Sequence, residues 1–345
     1  MHVVGGGPAG CAVAIALARR GVTVTLARGV KEPARHGGES LPPAIAQLLS
    51  GLDLLDDFAQ GPHLACFGNE SAWGDPALRM HSFMTSPYGC GWHIDRPAFD
   101  RMMLNAAERA GVRVVDSSLV DDSGFVVDAT GRAASVAHAR GVVRTLIDHL
   151  IAVVSVWKTL SPRLPSSTSL IEAAEDGYWY SSPLPFNRMF CLYVTDAALW
   201  AGTRGDAIDN WRGRLSLTAH TSRRLAHFDL AQDLRVVAAG TSRLKSLRGA
   251  GWLAVGDAAA CRDPLSSGGI YEAVRSGVRA ADAIARHLDG EIGALKEYAD
   301  DVVARFTRDL ERRRHIYCRE QRWPESSFWT DRRKSVASWQ PDISI

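Results

Sequence analysis

The stretch HVVGGGPAGCAVAIALARRGVTVTLAR, residues 2–28, decides the reading of this chain. His2–Val4 is a short apolar run, read as a buried strand, and it ends in glycines. Gly5, Gly7 and Gly10 stand in the spacing GxGxxG, with Pro8 and Ala9 between them. Residues 11–20 read as a helix with alanines at 12, 14, 16 and 18, and Gly21 closes it. Val22–Ala27, rich in β-branched residues, reads as a second strand.

Strand, turn, helix and strand in that order make a βαβ unit with its glycines at the strand-to-helix turn. Gly5 allows the tight turn. Gly7 lets a diphosphate approach the backbone, and Gly10 lets helix and strand pack closely. The helix start presents free N–H groups and a positive dipole end to that diphosphate. A dinucleotide is therefore the expected ligand. The second strand of such a unit usually ends in an acid that holds the ribose. Arg28 stands at that position here, beside the ribose or the adenine.

Composition narrows the class. The 345 residues are 46% hydrophobic and 23% charged, with a net charge of +2, which argues against a general nucleic-acid or membrane-surface binder. The six cysteines are scattered, with no CxxC pair and no metal-ligand spacing, so neither a disulfide framework nor a metal site is expected. The N-terminus lacks the pattern of a signal peptide, and no apolar run reaches transmembrane length. A cytoplasmic protein without a membrane span is the expectation.

A second motif lies far along the chain, in GWLAVGDAAACRDPLSSGGIYEAVRSGVRAADAIARHL, residues 251–288. An apolar strand, Trp252–Val255, ends in Gly256-Asp257. After a proline-containing loop, a helix opens near Gly269, with Ile270, Ala273, Val274, Ala281, Ile284 and Ala285 as its apolar stripe. Three further segments accompany it: GGESLPP (37–43), HIDRPAFDRMMLNAAERAGVRVV (93–115) and FVVDATGRAASVA (125–137). In the second of these, Asp95 is a plausible N-cap and Pro97 falls in the first turn.

Together these segments resemble the FAD-dependent monooxygenases of the p-hydroxybenzoate-hydroxylase and tryptophan-halogenase-like superfamily. LIEAAEDGYWYSSPLP (170–185), VTDAALW (194–200) and YCREQRWPESSFWTDRR (317–333) are most similar to one branch of it. That branch comprises the flavoprotein maturases of quinone-cofactor amine oxidases and dehydrogenases, which hydroxylate tryptophan within a polypeptide.

The resemblance implies FAD as the cofactor, NADH or NADPH as reductant, and O2 adding at the flavin C4a position before attack on an electron-rich ring. The expected substrate is a protein or peptide carrying the target tryptophan. Cofactor contacts are expected from Gly5, Gly7, Pro8, Ala9, Gly10 and Arg28 at the diphosphate and adenosine end. Glu39, Ser40 and Arg96 are expected beside them, with Asp128, Ala129 and Gly131 closing the adenosine side. Gly256, Asp257, Pro264, Ser267, Gly268, Gly269 and Ile270 are expected along the ribityl chain and flavin ring. The catalytic candidates are Glu39 and His36 as polar groups, and Gly268 and Gly269 as backbone donors. Trp179, Tyr180 and His93 are the substrate candidates.

The expected fold class is α/β. A Rossmann-like FAD-binding domain of the second glutathione-reductase type (residues 1–60, 92–135 and 236–290) interleaves with a β-sheet substrate domain (61–91 and 136–235). A C-terminal helix and tail follow at 291–345. RWPESSFW (322–329) either docks a partner or closes the chain's own cleft. The alternative functions are a flavin-dependent halogenase or a small-molecule aromatic hydroxylase, a prenyl-chain reductase, and a non-enzymatic FAD-bearing chaperone. YWYSSPLP departs from the WxWxIP stretch that a halogenase resemblance implies.

Overall fold

The computed structural model describes residues 1–29, 39–117, 124–159, 166–202 and 206–333. The opening unit folds as β1 (His2–Val4), α1 (Pro8–Ala18) and β2 (Thr25–Arg28). The helix begins three residues earlier than its pattern suggested, because Pro8 occupies the first helical position, where its missing N–H costs nothing. The second strand starts late for a different reason. β1 has only three residues, and Thr25 pairs with its first, His2, so the ladder begins there. Residues 8–17 of α1 are all buried. A helix apolar on every side belongs inside a protein.

Two strands complete the central ladder, β3 (Arg113–Asp116) and β4 (Val126–Asp128). The six-stranded sheet runs Arg248–Gly249, Trp252–Ala254, β4, β1, β2, β3. Its pairings are parallel except the one between the first two strands. Parallel sheets need cover on their faces. Here α1 and α2 (Arg96–Arg109) supply part of it, together with α3 (Gly269–Leu288). Asp95 caps α2, its carboxylate accepting from the Ala98 N–H at 3.0 Å. α4 (Ala294–Cys318) adds Tyr298, Val302 and Phe306 to the same core.

The second sheet is built around β5 (Leu150–Lys158), β6 (Gly177–Leu184) and β7 (Arg188–Asp196). Its order is Asp229–Leu230, β5, β7, β6, Ser169–Ala174, Gly68–Ala72, Arg79–Ser82, and a further strand, β8 (Arg235–Ala238), also pairs with β5. Leu192 sits opposite both Val154 and Tyr180 in the register. Side chains alternate across a strand, so Tyr178, Tyr180, Phe190 and Val154 share one face. Trp179, Cys191, Tyr193 and Val153 share the other, packed with Trp211.

Several strand pairings cross the boundaries expected from the sequence. β8 belongs to the second sheet as far as Ala238. Arg144–Leu146 pairs with Ser242–Leu244, which in turn pairs with Ala260–Cys261. Ser40–Leu41, Gly91–His93 and Leu64–Cys66 form a small sheet of their own. The 322–329 stretch closes the chain's own core. Phe328 and Trp329, in α5 (Ser327–Arg333), are fully buried, and the Trp329 indole donates to the Ala174 carbonyl at 3.1 Å. No helix among the described residues is long and apolar enough to cross a membrane.

Candidate active site

A cavity of about 1090 Å³ runs between the two sheets and meets both glycine motifs. At one end lies the β1–α1 turn. Gly5 has φ +113°, and a Cβ on it would stand 2.1 Å from the Ala129 carbonyl oxygen. A Cβ on Gly10 would stand 1.9 Å from the Gly5 oxygen. These two glycines are required by backbone packing. Gly7 is different: nothing lies within 4 Å of the Cβ position, and the residue lines the cavity with Pro8 and Ala9. The space is left open at the positive end of α1, where an anionic group is stabilised.

Glu39 and Arg96 form the next part of the wall. Arg96 donates to Glu39 Oε1 at 2.6 Å and to Asp100 Oδ1 at 2.7 Å. Burial lowers the Arg96 pKa, but the two carboxylates outweigh it and the guanidinium is held firmly charged. The Glu39 carboxyl is pushed up by burial, against the pull of Arg96. Ser40 Oγ lies 2.8 Å from both His93 Nδ1 and Tyr180 OH, which links the small sheet to β6. Ser40 and Tyr180 reach the cavity. His93 lies behind them, fully buried, and burial lowers its pKa to about 4, so the ring is neutral near pH 7.

The far end is the 263–270 loop. Asp263 caps a short turn, accepting from the Leu265 N–H at 2.9 Å. The same carboxylate accepts from Tyr178 OH at 2.7 Å and Tyr317 OH at 2.8 Å, with Arg313 Nε 2.8 Å away. Strand β6 and helix α4 thus hold this loop in place. Ser267 adopts a left-handed conformation, φ 46°. Gly268 then caps α3, so the first N–H groups of the helix, from Gly269 and Ile270, lack intrahelical partners. Pro264, Ser267, Gly268, Gly269, Ile270 and Asp257 all line the cavity.

Several expected contacts fall elsewhere. Trp179 is on the opposite face of β6 from Tyr180, with no exposed surface, packed edge-on to Trp211 and tilted against Tyr193. The alternation of a strand makes it impossible for neighbours to share a face. Asp128 is also fully buried. Its carboxylate accepts from Thr130 N–H and Oγ1 and from the Ala137 N–H, and so shapes the turn that brings Ala129 and Gly131 to the cavity. Arg28 turns away to form a two-pronged pair with Asp116, its Nε 2.5 Å from Oδ1. Gly10 and Gly256 are packing residues, the latter pressed against Ala9. His36 lies outside the described residues.

The sequence reading missed Arg132 and Arg262, which line the cavity, and the anchoring role of Asp263 with Tyr178, Tyr317 and Arg313. Asp263 carried a signal, as an acid directly before the proline of the second motif. The arginines carried none.

The donors fit a flavin dinucleotide: an open glycine and a helix start at one end, a second helix start at the other, and a continuous cavity between them. The fold is that of the FAD-dependent halogenase and hydroxylase structures. CmlS, a flavin-dependent halogenase, superposes with TM-score 0.84 at 24% identity, covering 97% of this chain and 67% of CmlS. QhpG, a peptidyl tryptophan dihydroxylase essential for tryptophylquinone cofactor biogenesis, gives TM-score 0.79 at 25% identity, over 96% of this chain and 79% of QhpG.

Among curated proteins, LodB of Marinomonas mediterranea, which carries the name of an FAD-dependent oxidoreductase, is 28% identical over 96% of this chain and 95% of LodB. Tryptophan 2-halogenase of Chondromyces crocatus is 24% identical over 84% of this chain and 62% of its own length. No protein-family model matches. Along most of its length the chain is similar to halogenase-like and other FAD-dependent oxidoreductases.

Proposed function

We propose that this enzyme uses FAD to hydroxylate an electron-rich aromatic side chain, with tryptophan in a partner polypeptide as the substrate and NADH or NADPH as the ultimate reductant. The observation that carries the reading is the cavity wall. Among the described residues it contains arginines and carboxylates but no lysine, whereas the resemblance to halogenases implies a dedicated lysine near the substrate. The likeness to QhpG supports the same reading, and the likeness to LodB along nearly the whole of both chains supports an FAD-dependent oxidoreductase.

Bound FAD supplies the electron transfer and the activation of O2. The chain's own residues do the rest. The first N–H groups of α1, with Gly7 leaving them open, bind the diphosphate. The N–H groups at the start of α3, which belong to Gly269 and Ile270, would hold the flavin end of the cofactor and stabilise negative charge on it; donors of this kind contribute ~2.7–4 kcal/mol. Asp263, fixed by two tyrosines, positions the loop that precedes them. Tyr180, held by Ser40, and Phe190 form the wall across from that loop and exclude water from the substrate side.

A halogenase is the second reading, favoured by the names of tryptophan 2-halogenase and CmlS among the similar proteins. One experiment separates them. The FAD-loaded enzyme is supplied with NADH or NADPH, with and without an added flavin reductase, and with O2, chloride, bromide, tryptophan-containing peptides and free indoles. Hydroxylation gives peptides heavier by one or two oxygen atoms. Halide isotope patterns in the products would establish the halogenase instead.

A further inference from the structure

Strand β8, Arg235–Ala238, borders the cavity and is open along one side. Among the described residues it pairs only with β5, antiparallel, in the register Ile151↔Ala238, Ala152↔Val237, Val153↔Val236 and Val154↔Arg235. Ala239 N–H donates to the Leu150 carbonyl at 2.9 Å. Hydrogen-bonded and non-hydrogen-bonded pairs alternate along an antiparallel ladder. The parity therefore engages the backbone groups of Val237 and Arg235 with β5. It turns the N–H and C=O of Val236 and Ala238 outward.

This edge is accessible and continuous with the site. All four residues are exposed, Val236 at 52% and Val237 at 38%. Val237 and Ala238 also line the cavity, and the Val237 side chain shares the face of Ala152 and Val154. Edges of this kind are templates for another strand unless proline, a bulge or a covering segment blunts them. No proline stands in β8. Arg235 adds an exposed guanidinium with no ion-pair partner among the described residues.

We propose that β8 is the docking edge for the polypeptide substrate: an extended segment pairs with Val236 and Ala238 and delivers an aromatic side chain into the cavity. The proposal rests on the polypeptide reading given above. Two outward N–H and C=O sets, two residues apart, match the repeat of an extended backbone. Because side chains alternate, every second residue of an added strand falls on the face that Val237 presents to the cavity. The unpaired Arg235 selects a segment with an acidic residue flanking the aromatic one, through charge complementarity.

The test uses the FAD-loaded enzyme and a pool of synthetic nonapeptides with a central tryptophan, captured from solution and identified by mass spectrometry. Two further pools carry backbone N-methyl groups at odd or at even positions. The expected result is that one methylated pool loses capture about tenfold, the scale of one or two lost hydrogen bonds, while the other is retained. Acidic residues are enriched in captured peptides, and Arg235→Glu reverses the preference to basic ones. Val236→Pro, which removes an outward N–H and leaves the ladder to β5 intact, loses the same tenfold with its flavin spectrum unchanged. Equal capture of all three pools by the wild type overturns the docking edge. So does a dimer in solution that Val236→Pro converts to monomer. A wild type that modifies free indoles and no peptide in any pool overturns the polypeptide reading itself, and the docking edge with it.

Discussion

Gly7 and Gly10 lie three residues apart in one motif, and alanine at each should fail in a different way. At Gly7 the backbone is extended, φ −79° and ψ −178°, a conformation any residue adopts, and nothing lies within 4 Å of the Cβ position. The loss of a good N-cap and the gain from a stiffer unfolded chain nearly cancel, so Gly7→Ala should change the stability of the flavin-free protein by less than ~1 kcal/mol. The same methyl group occupies the space a diphosphate needs. Displacing that group from two N–H donors, at ~1.5 kcal/mol or more each, raises the dissociation constant for FAD about 150-fold.

At Gly10 a Cβ would lie 1.9 Å from the Gly5 oxygen, a backbone atom that cannot rotate aside. Gly10→Ala should cost about 3 kcal/mol, which lowers Tm by about 4 °C for a chain of this size. The assay is paired: thermal unfolding of the deflavinated variants, and fluorescence titration of each with FAD. Gly7→Ala binding FAD as tightly as the wild type would refute the placement of the diphosphate. A flavin-free Gly10→Ala that melts with the wild type would refute the packing argument.

Three further outcomes follow from the geometry. Trp179→Ala, at a site with no exposed surface, should cost ~3–5 kcal/mol in chemical denaturation and leave the absorption spectrum of bound flavin unchanged; a changed spectrum with intact stability would place Trp179 at the cavity after all. Burial lowers the His93 pKa from about 6.5 to about 4, so the unfolded chain takes up this proton first as the pH drops. That contribution, about 3 kcal/mol, is complete above pH ~6.5 and is lost as pH falls toward 4. His93→Gln should accordingly show a shallower acid limb than the wild type, and parallel limbs would contradict the assignment. Asp263→Asn leaves Arg313 with Asp148 as its remaining carboxylate and should destabilise the fold by ~3–5 kcal/mol, measured by urea unfolding.

The parts of this protein legible in its sequence are those where local backbone chemistry decides. The two glycine motifs, the capped start of α2 and the opening of α3 at Gly269 depend on turns and helix ends, which act over a few residues. The strands β5, β6 and β7 carry β-branched and aromatic runs of the kind that mark a strand locally. What escaped was set by pairing across long sequence distances. β8 joins the second sheet because Val236 meets Val153. Asp116, more than eighty residues from Arg28, meets that arginine across the sheet register and engages its guanidinium. Asp128 looked like a ligand contact because it ends a strand beside the cavity, yet its carboxylate is satisfied by the turn that follows. Trp179 is buried on the face away from the cavity while its neighbour Tyr180 lines it, and a strand's period of two is enough to separate them.

The central claim is that one FAD spans the cavity from Gly7 to the start of α3. A crystal structure of the FAD-soaked protein tests it most directly. The diphosphate is expected within hydrogen-bonding distance of the first N–H groups of α1, and the flavin ring beside Pro264 and the Gly268–Ile270 backbone. A dinucleotide seated in the reverse direction, or a flavin ring outside the cavity, would contradict it.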